Sequence, residues 1–199
     1  MLSLKRAEVL VALSRKSISF FFEKRSLRSE IPSNSFLNEK LGVFVTLSSF
    51  PEKELRGCIG FAMPVIPLGK AVVTAALAAA FEDPRFEPLQ KQELSRIVVE
   101  VSVLSKPQKF NAPNSQLPLR IIVGKHGLIV SDGFQSGLLL PQVPVEWGWS
   151  SLQFLEQCCL KAGLPKNAWK SESVKVEFFE AQVFGEERPE GKVVEEKLV

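Results

Sequence analysis

This chain of 199 residues has no tyrosine, one histidine, two methionines and three cysteines. Each scarcity excludes something. A small, odd number of cysteines argues against the disulfide framework that staples small secreted domains. Cys158 and Cys159 are adjacent in a helical pattern, where neighbours diverge by about 100°, so they cannot face one metal together. With His126 alone, and no CxxC, HxH or HExxH spacing, a structural zinc site has too few ligands. Neither a GxGxxG nor a GxxxxGK[ST] run is present to cradle a phosphate, and no cofactor is expected.

Long apolar runs are also missing: none approaches the ~20 residues of a membrane span. The longest, around Ala71–Phe81, is alanine-rich and broken by Thr74, which suits a buried helix. Glu8, Arg15 and Lys16 interrupt the apolar stretch near the N-terminus, so no signal-peptide pattern reads there and a cytoplasmic location is expected. No charge dominates either, since the formal net charge is +3, and composition alone makes no case for nucleic acid. Residues 1–30 stand apart, with Lys5, Arg6, Arg15, Lys16, Lys24, Arg25 and Arg28 against Glu8, Glu23 and Glu30. A basic helix can contact phosphates, and a solvated basic face on an amphipathic helix explains the cluster equally well.

What is present is a globular composition, 45% hydrophobic, long enough for one substantial domain or two small lobes sharing a core. Ser3 is a plausible N-cap for a helix whose stripe is Leu4, Ala7, Val11, Ser14, Ile18 and Phe21, widened by Val9, Leu13 and Phe20. Ser29–Asn38, with Pro32 and Asn34, reads as a loop. Gly42–Ser49 and Leu55–Phe61 read as a hairpin with coincident apolar faces. A helix follows from Pro67 to Glu82, ended by Asp83-Pro84. Arg96–Ser105 is the strongest strand. Arg120–Gly124 and Gly127–Val130 read as a strand pair turned around Lys125-His126, followed by a strand at Ser136–Leu140. Trp149–Ala162 reads as a helix stopped by Gly163, and Val174–Phe184 as the last strand. From Gly185 onward the charged tail shows no structural signal. Strands outnumber helices and their links are often short, so the expected class is α+β with a mainly antiparallel sheet flanked by helices.

Within the hairpin, Leu55-Arg56-Gly57-Cys58-Ile59-Gly60-Phe61 carries the most chemistry. Strand alternation puts Leu55, Gly57, Ile59 and Phe61 on the core side. Arg56, Cys58 and Gly60 face the other way, with Arg56 and Cys58 roughly 6–7 Å apart and near Thr46 or Ser48. No bulky side chain is expected to cover them at Gly60. A guanidinium beside a thiol favours the reactive thiolate. Cys58 is therefore a candidate nucleophile, although a small polarizable residue also suits a crowded strand. Arg56 can grip a carboxylate or phosphate, or pair internally with Glu100 or Asp83.

Three segments together resemble the AMMECR1 family, the AMMECR1-like domain of the AmmeMemoRadiSam system. They are LRGCIG at Leu55–Gly60; AAFEDPRFEPL at Ala79–Leu89 with EVSVLSKP at Glu100–Pro107; and HGLIVSDGFQSGLLLPQV at His126–Val143 with FLEQCCLKAGL at Phe154–Leu164. The motif-bearing core runs from about Gly42 to Phe184, inside a single AMMECR1-like domain taken as residues 1–199. The resemblance implies a larger and a smaller lobe, motif residues lining a cleft between them, and companion proteins of the Memo-like and radical SAM kinds. It names no reaction.

On this reading the cleft binds a small anionic ligand or a modified macromolecular group, with Cys58 as a catalytic thiol. The ligand-binding candidates are Arg56, Gly57, Gly60, Asp83, Arg85, Glu100, His126 and Gln142. Asp83 and Arg85 can instead bond each other and fix the chain reversal. Glu100 is an acid/base or an ion-pair partner, and His126 sits in an exposed turn. Gln142 offers an amide to a ligand or to buried backbone. Trp147, Trp149 and Trp169 can stack on a ring or fill the core. A complete nucleophile–base–orienter set is not legible, and this favours a rival of a different class, a non-catalytic module that docks Memo-like or radical SAM proteins. RNA binding through residues 1–30 is a third reading.

Overall fold

The structure, a computed structural model, describes residues 2–25, 31 and 34–196. In chain order the main elements are α1 (Leu4–Phe22), β1 (Gly42–Ser49), β2 (Leu55–Phe61), α2 (Leu68–Phe81), β3 (Ile97–Leu104) and β4 (Gln108–Lys109). They continue with α3 (Leu117–Arg120), β5 (His126–Ser131), β6 (Ser136–Leu139), α4 (Val143–Glu146), α5 (Ser151–Lys161), β7 (Lys175–Glu186) and β8 (Val193–Glu196). The class is α+β with antiparallel strand pairing, as expected. The chain forms two compact units, one reaching from the N-terminus to Leu104 with Gln182–Glu196 added, the other Ser105–Ala181. Strand β7 therefore supplies residues to both. Among the described residues no helix is long and apolar enough to cross a membrane.

In the first unit β1 pairs with β2 on one side and β3 on the other, and β8 pairs with the end of β7. Val43, Val45 and Leu47 of β1 alternate with half-buried Phe44, Thr46 and Ser48, and Val99, Val101 and Val103 repeat the pattern on β3. One sheet face is thus apolar, and α1 and α2 pack with it into a single core. The α1 stripe differs in detail from its sequence reading. Leu10 and Ser17 are buried, whereas Leu4 and Phe21 are exposed at its ends, with Phe21 stacked on Phe81 at 4.0 Å. Ser3 occupies the N-cap position but makes no side-chain cap bond. The Ser29–Asn38 loop lies partly outside the described residues; Ser35–Asn38 forms a 3₁₀ turn capped by Asn34.

Alanine in α2 serves close approach. A Cβ placed on Gly57 of β2 would lie 2.1 Å from the Ala79 carbonyl oxygen, so only glycine lets strand and helix meet there. Gly60 is different from expectation: a Cβ there would lie 2.5 Å from the Phe44 ring, so Phe44, opposite it in register, covers the position that the sequence left open.

In the second unit β5 lies between β6 and the first half of β7, and Phe154, Leu155 and Cys158 of α5 complete its core. The strand expected at Arg120–Gly124 does not form. Pro118 starts the short helix α3, and the Lys125 and His126 N–H groups both donate to the Ile122 carbonyl, closing a turn. Those donors are then lost to any ladder. The tail that gave no signal after Gly185 contains β8.

Gly57→Ala should destabilise the protein by about 3 kcal/mol, the upper end of ordinary overpacking, because the obstruction is backbone rather than a movable side chain. Denaturant unfolding measures it; a loss under 1 kcal/mol would show that α2 can move away freely.

Candidate active site

The hairpin register places Cys58 opposite Thr46, and the Thr46 hydroxyl donates to the Cys58 sulfur at 3.3 Å. Cys58 is half-buried. Its peptide is held at both ends. The N–H donates to Asp83 Oδ2 at 2.9 Å, and the carbonyl accepts from Arg85 Nη2 at 3.2 Å. Asp83 and Arg85 complete the clamp by bonding each other, Arg85 Nε to Oδ1 at 3.0 Å and Nη2 to Oδ2 at 2.8 Å. The bond from Arg85 more than offsets burial, which works the other way. With the Cys58 and Arg85 N–H groups added, it holds the Asp83 carboxyl well below the usual carboxylate range.

Arg56 is not paired with Glu100 or Asp83. Its register partner is missing, because β2 bulges between the Leu47–Gly57 and Ser48–Leu55 pairs, and a bulge re-aims the extra side chain. Arg56 meets Glu93 instead, Nε to Oε1 at 2.8 Å and Nη2 to Oε2 at 3.2 Å. Glu93 also accepts the Gln90 N–H in a capping box. Burial pushes its carboxyl up, the Arg56 and Gln90 bonds pull it down, and the net direction is down. The Phe86 ring lies 6.0 Å from the Arg56 guanidinium and 5.4 Å from that of Arg85. An anionic ligand at Arg56 would have to compete with Glu93.

Thr46 is also opposite Glu100 on β3. Cys58, Thr46 and Glu100 therefore form one cross-strand row on the face away from the apolar core, with neighbouring Cβ atoms about 5 Å apart. Glu100 has no cationic partner among the described residues. Burial pushes its carboxyl up to about 7, helped by the charge of Glu196 and by a hydrogen bond with it. Beside them is a hollow of about 430 Å³ with Phe50, Lys53, Val98 and Val194 in its walls. Near neutral pH this acid can both take and give a proton.

His126 and Gln142 belong to the second unit. His126 is not exposed. It opens β5 at 7% exposure, its ring centroid 4.7 Å from that of Phe178 and 5.9 Å from that of Phe110. Its Nδ1 accepts the Ile122 N–H at 3.1 Å. Burial lowers its proton affinity, only partly countered by Glu180. Gln142 precedes α4, and its buried Oε1 has no partner among the described residues. Cys158 is fully buried, its thiol pushed up to about 12 by burial and the adjacent Cys159. Among the described residues no three of His, Cys, Asp and Glu converge as metal ligands do. In α1, Arg15 is buried against Glu186 and also donates to the Leu94 and Ile97 carbonyls, so the basic cluster is not all solvated surface. Arg28 lies outside the described residues.

Sequence reasoning did not find Glu93 or Glu196. Gln90 is not an ordinary capping-box residue, so its spacing to Glu93 carried no clear signal, and nothing marked Glu196.

Asp83→Ala should cost about 2–3 kcal/mol, since it orphans the Cys58 N–H and frees Arg85, and Arg85→Ala, at a half-exposed side chain, about 1 kcal/mol or less. Chemical denaturation of both variants checks the order; equal losses would show no clamp. His126 gives a pH dependence. The unfolded histidine takes its proton near 6.5 and the folded one at lower pH, so the unfolded state binds more protons between the two values. Stability should be full above pH 6.5 and fall as pH drops below it. His126→Asn should flatten that slope in unfolding curves recorded between about pH 5 and 8.

A profile of the AMMECR1 family matches residues 11–184. A protein of Methanopyrus kandleri is 50% identical over 199 residues, covering 99% of this chain and 96% of the relative. One from Aquifex aeolicus is 47% identical over 184 residues, covering 92% and 94%. The crystal structure of an uncharacterised protein from Pyrococcus horikoshii superposes with a TM-score of 0.81 at 45% identity, covering 96% of each chain. The profile starts well before Gly42, because α1 belongs to the shared fold although it contains none of the motifs. The chain belongs to the AMMECR1 family.

Proposed function

We propose that the outer sheet face of the first unit is a thiol site, with Cys58 as nucleophile and Glu100 as its acid/base across Thr46. The observation that supports this reading is the row itself: a half-exposed thiol, a hydroxyl already bonded to it, and a carboxyl that titrates near neutrality. A thiol with an acid/base two strands away suits transfer of a small acyl group. For transfer the Thr46 hydroxyl, which rests donating to the sulfur, turns to accept the thiol proton and hands its own to the carboxyl, and sulfur bonds the acyl carbon. The leaving group departs with the returned proton, and water or a second acceptor then takes the acyl group from sulfur. Asp83 and Arg85 are positioning residues that hold the Cys58 peptide.

A different observation favours the partner-docking reading. In the second unit Trp147 is 69% exposed and stacked with Trp149 at 5.9 Å, and Phe134 and Leu119 are exposed further. The exposed tryptophan stack suits docking of a companion protein of the Memo-like or radical SAM kind. Trp147→Ala should abolish binding to a purified Memo-like protein in a pull-down while leaving Cys58 chemistry intact.

The primary reading is tested by alkylation of Cys58 with iodoacetamide across pH, followed by mass spectrometry. The rate should rise through about pH 7 as the carboxyl becomes a base. Glu100→Gln should remove that inflection, and Thr46→Val should slow the reaction roughly tenfold. Cys58 that reacts only on unfolding, or a profile indifferent to Glu100, would sink the thiol site.

A further inference from the structure

Strand β8 pairs with β7, Gly185 opposite Val194 and Val183 opposite Glu196. Alternation puts Val194 and Glu196 on the same side of β8, and both line the hollow that holds Glu100. Gly185 makes room for the two acids. A Cβ there would lie 3.0 Å from Glu196 Oε1 and 3.7 Å from Glu100 Cβ. Two carboxyls in contact cannot both ionise without strong repulsion, so such a pair holds one proton between them.

The charged groups around the pair leave that proton in place. From the turn after β1, Lys53 lines the hollow without forming an ion pair to either carboxyl among the described residues. From β7, Glu186 is taken by Arg15 and the Val99 N–H, and Glu187, just beyond the strand, adds negative charge. On β8 itself Glu195 points to the other side and accepts from Gln182. With Arg15 offsetting Glu186 and Lys53 standing against Glu187, these neighbours bring no net positive charge that would drive the pair to ionise.

We propose that Glu196 is a positioning residue of the thiol site, sharing a proton with Glu100 above Gly185, so that strand β8 completes the site. The role rests on the thiol reading of Cys58 and Glu100. Glu196 touches neither the sulfur nor a substrate. Its effect is to keep a proton on Glu100 up to neutral pH, so that the carboxyl can return one to a leaving group. Without that neighbour Glu100 ionises earlier, so it is a weaker base and carries no proton for a leaving group at neutral pH.

The test uses the full chain with Glu196→Gln, and Glu196→Ala as a second variant lacking any hydrogen bond to Glu100. Carboxyl ¹³C NMR follows the Glu100 titration, and iodoacetamide alkylation follows Cys58 in the same buffers. Both variants should lower the Glu100 midpoint by about one pH unit and move the Cys58 inflection by the same amount. At about pH 5, where Glu100 is protonated with or without its neighbour, the melting temperature should change little, since Glu196 is exposed at the strand end. An unchanged Glu100 midpoint overturns the role of Glu196 and leaves the thiol reading standing. A midpoint that falls while the Cys58 profile stays fixed overturns the thiol reading, and this role with it.

Discussion

The approach of Gly57 to the Ala79 carbonyl is the constraint on which the rest of the first unit depends. It brings the backbone of β2 against the backbone of α2, with no side chain between them. Once that contact is made, the end of α2 has only one place to be. Asp83, four residues beyond Ala79, arrives beside Cys58, one residue beyond Gly57, and takes its N–H. Arg85 then closes on Asp83 and on the Cys58 carbonyl. A packing contact between small residues is thereby converted into the placement of a thiol. The buried Asp83 carboxylate is tolerable because four N–H donors from Cys58 and Arg85 surround it.

The two faces of the same sheet do different work. Val43, Val45, Leu47, Val99 and Val101 join α1 and α2 in one apolar core. Phe44, Thr46 and Glu100 cover the opposite face incompletely, so it is neither fully wet nor fully dry. That intermediate burial has chemical consequences. A carboxyl in open water ionises well below neutrality, and one in a sealed core would stay protonated throughout. Glu100 falls between these limits. The three cysteines show the same gradation, since Cys158 is sealed in the second core while Cys58 remains within reach of solvent.

Much of this was legible in the sequence. The hairpin ends, the core alternation of β1 and β3 and the body of α2 follow from period and turn chemistry. The Asp83–Arg85 bond and the nearness of Cys58 to Thr46 follow from those in turn. What escaped has common physical causes. Arg56 was assigned to the Cys58 face because alternation assumes no bulge, and one extra residue in β2 sent it to Glu93. His126 was placed in an exposed turn because Ile122 and Val123 read as strand; they lie in the turn, and the histidine itself begins the strand. Phe44 over Gly60 is a cross-strand relation that no local pattern encodes. Strand β8 is four residues long and half of them are glutamate, so no propensity announces it. Glu196 became visible only as a neighbour of Glu100.

Strand β7 passes from one unit into the other, and this bears on how the chain acquires its structure. The first unit is assembled from both ends of the described sequence, with the whole of Ser105–Ala181 inserted between its parts. On a ribosome, α1, α2 and β1–β3 emerge early and cannot finish. Arg15 waits for the Glu186 carboxylate, and the Val99 N–H waits for the same group. An arginine buried without that partner would cost about 3–5 kcal/mol, so the early part stays open until late in synthesis. The second unit, continuous in sequence, can close first. The hollow between Glu100 and strand β8 is then among the last parts of the molecule to be completed.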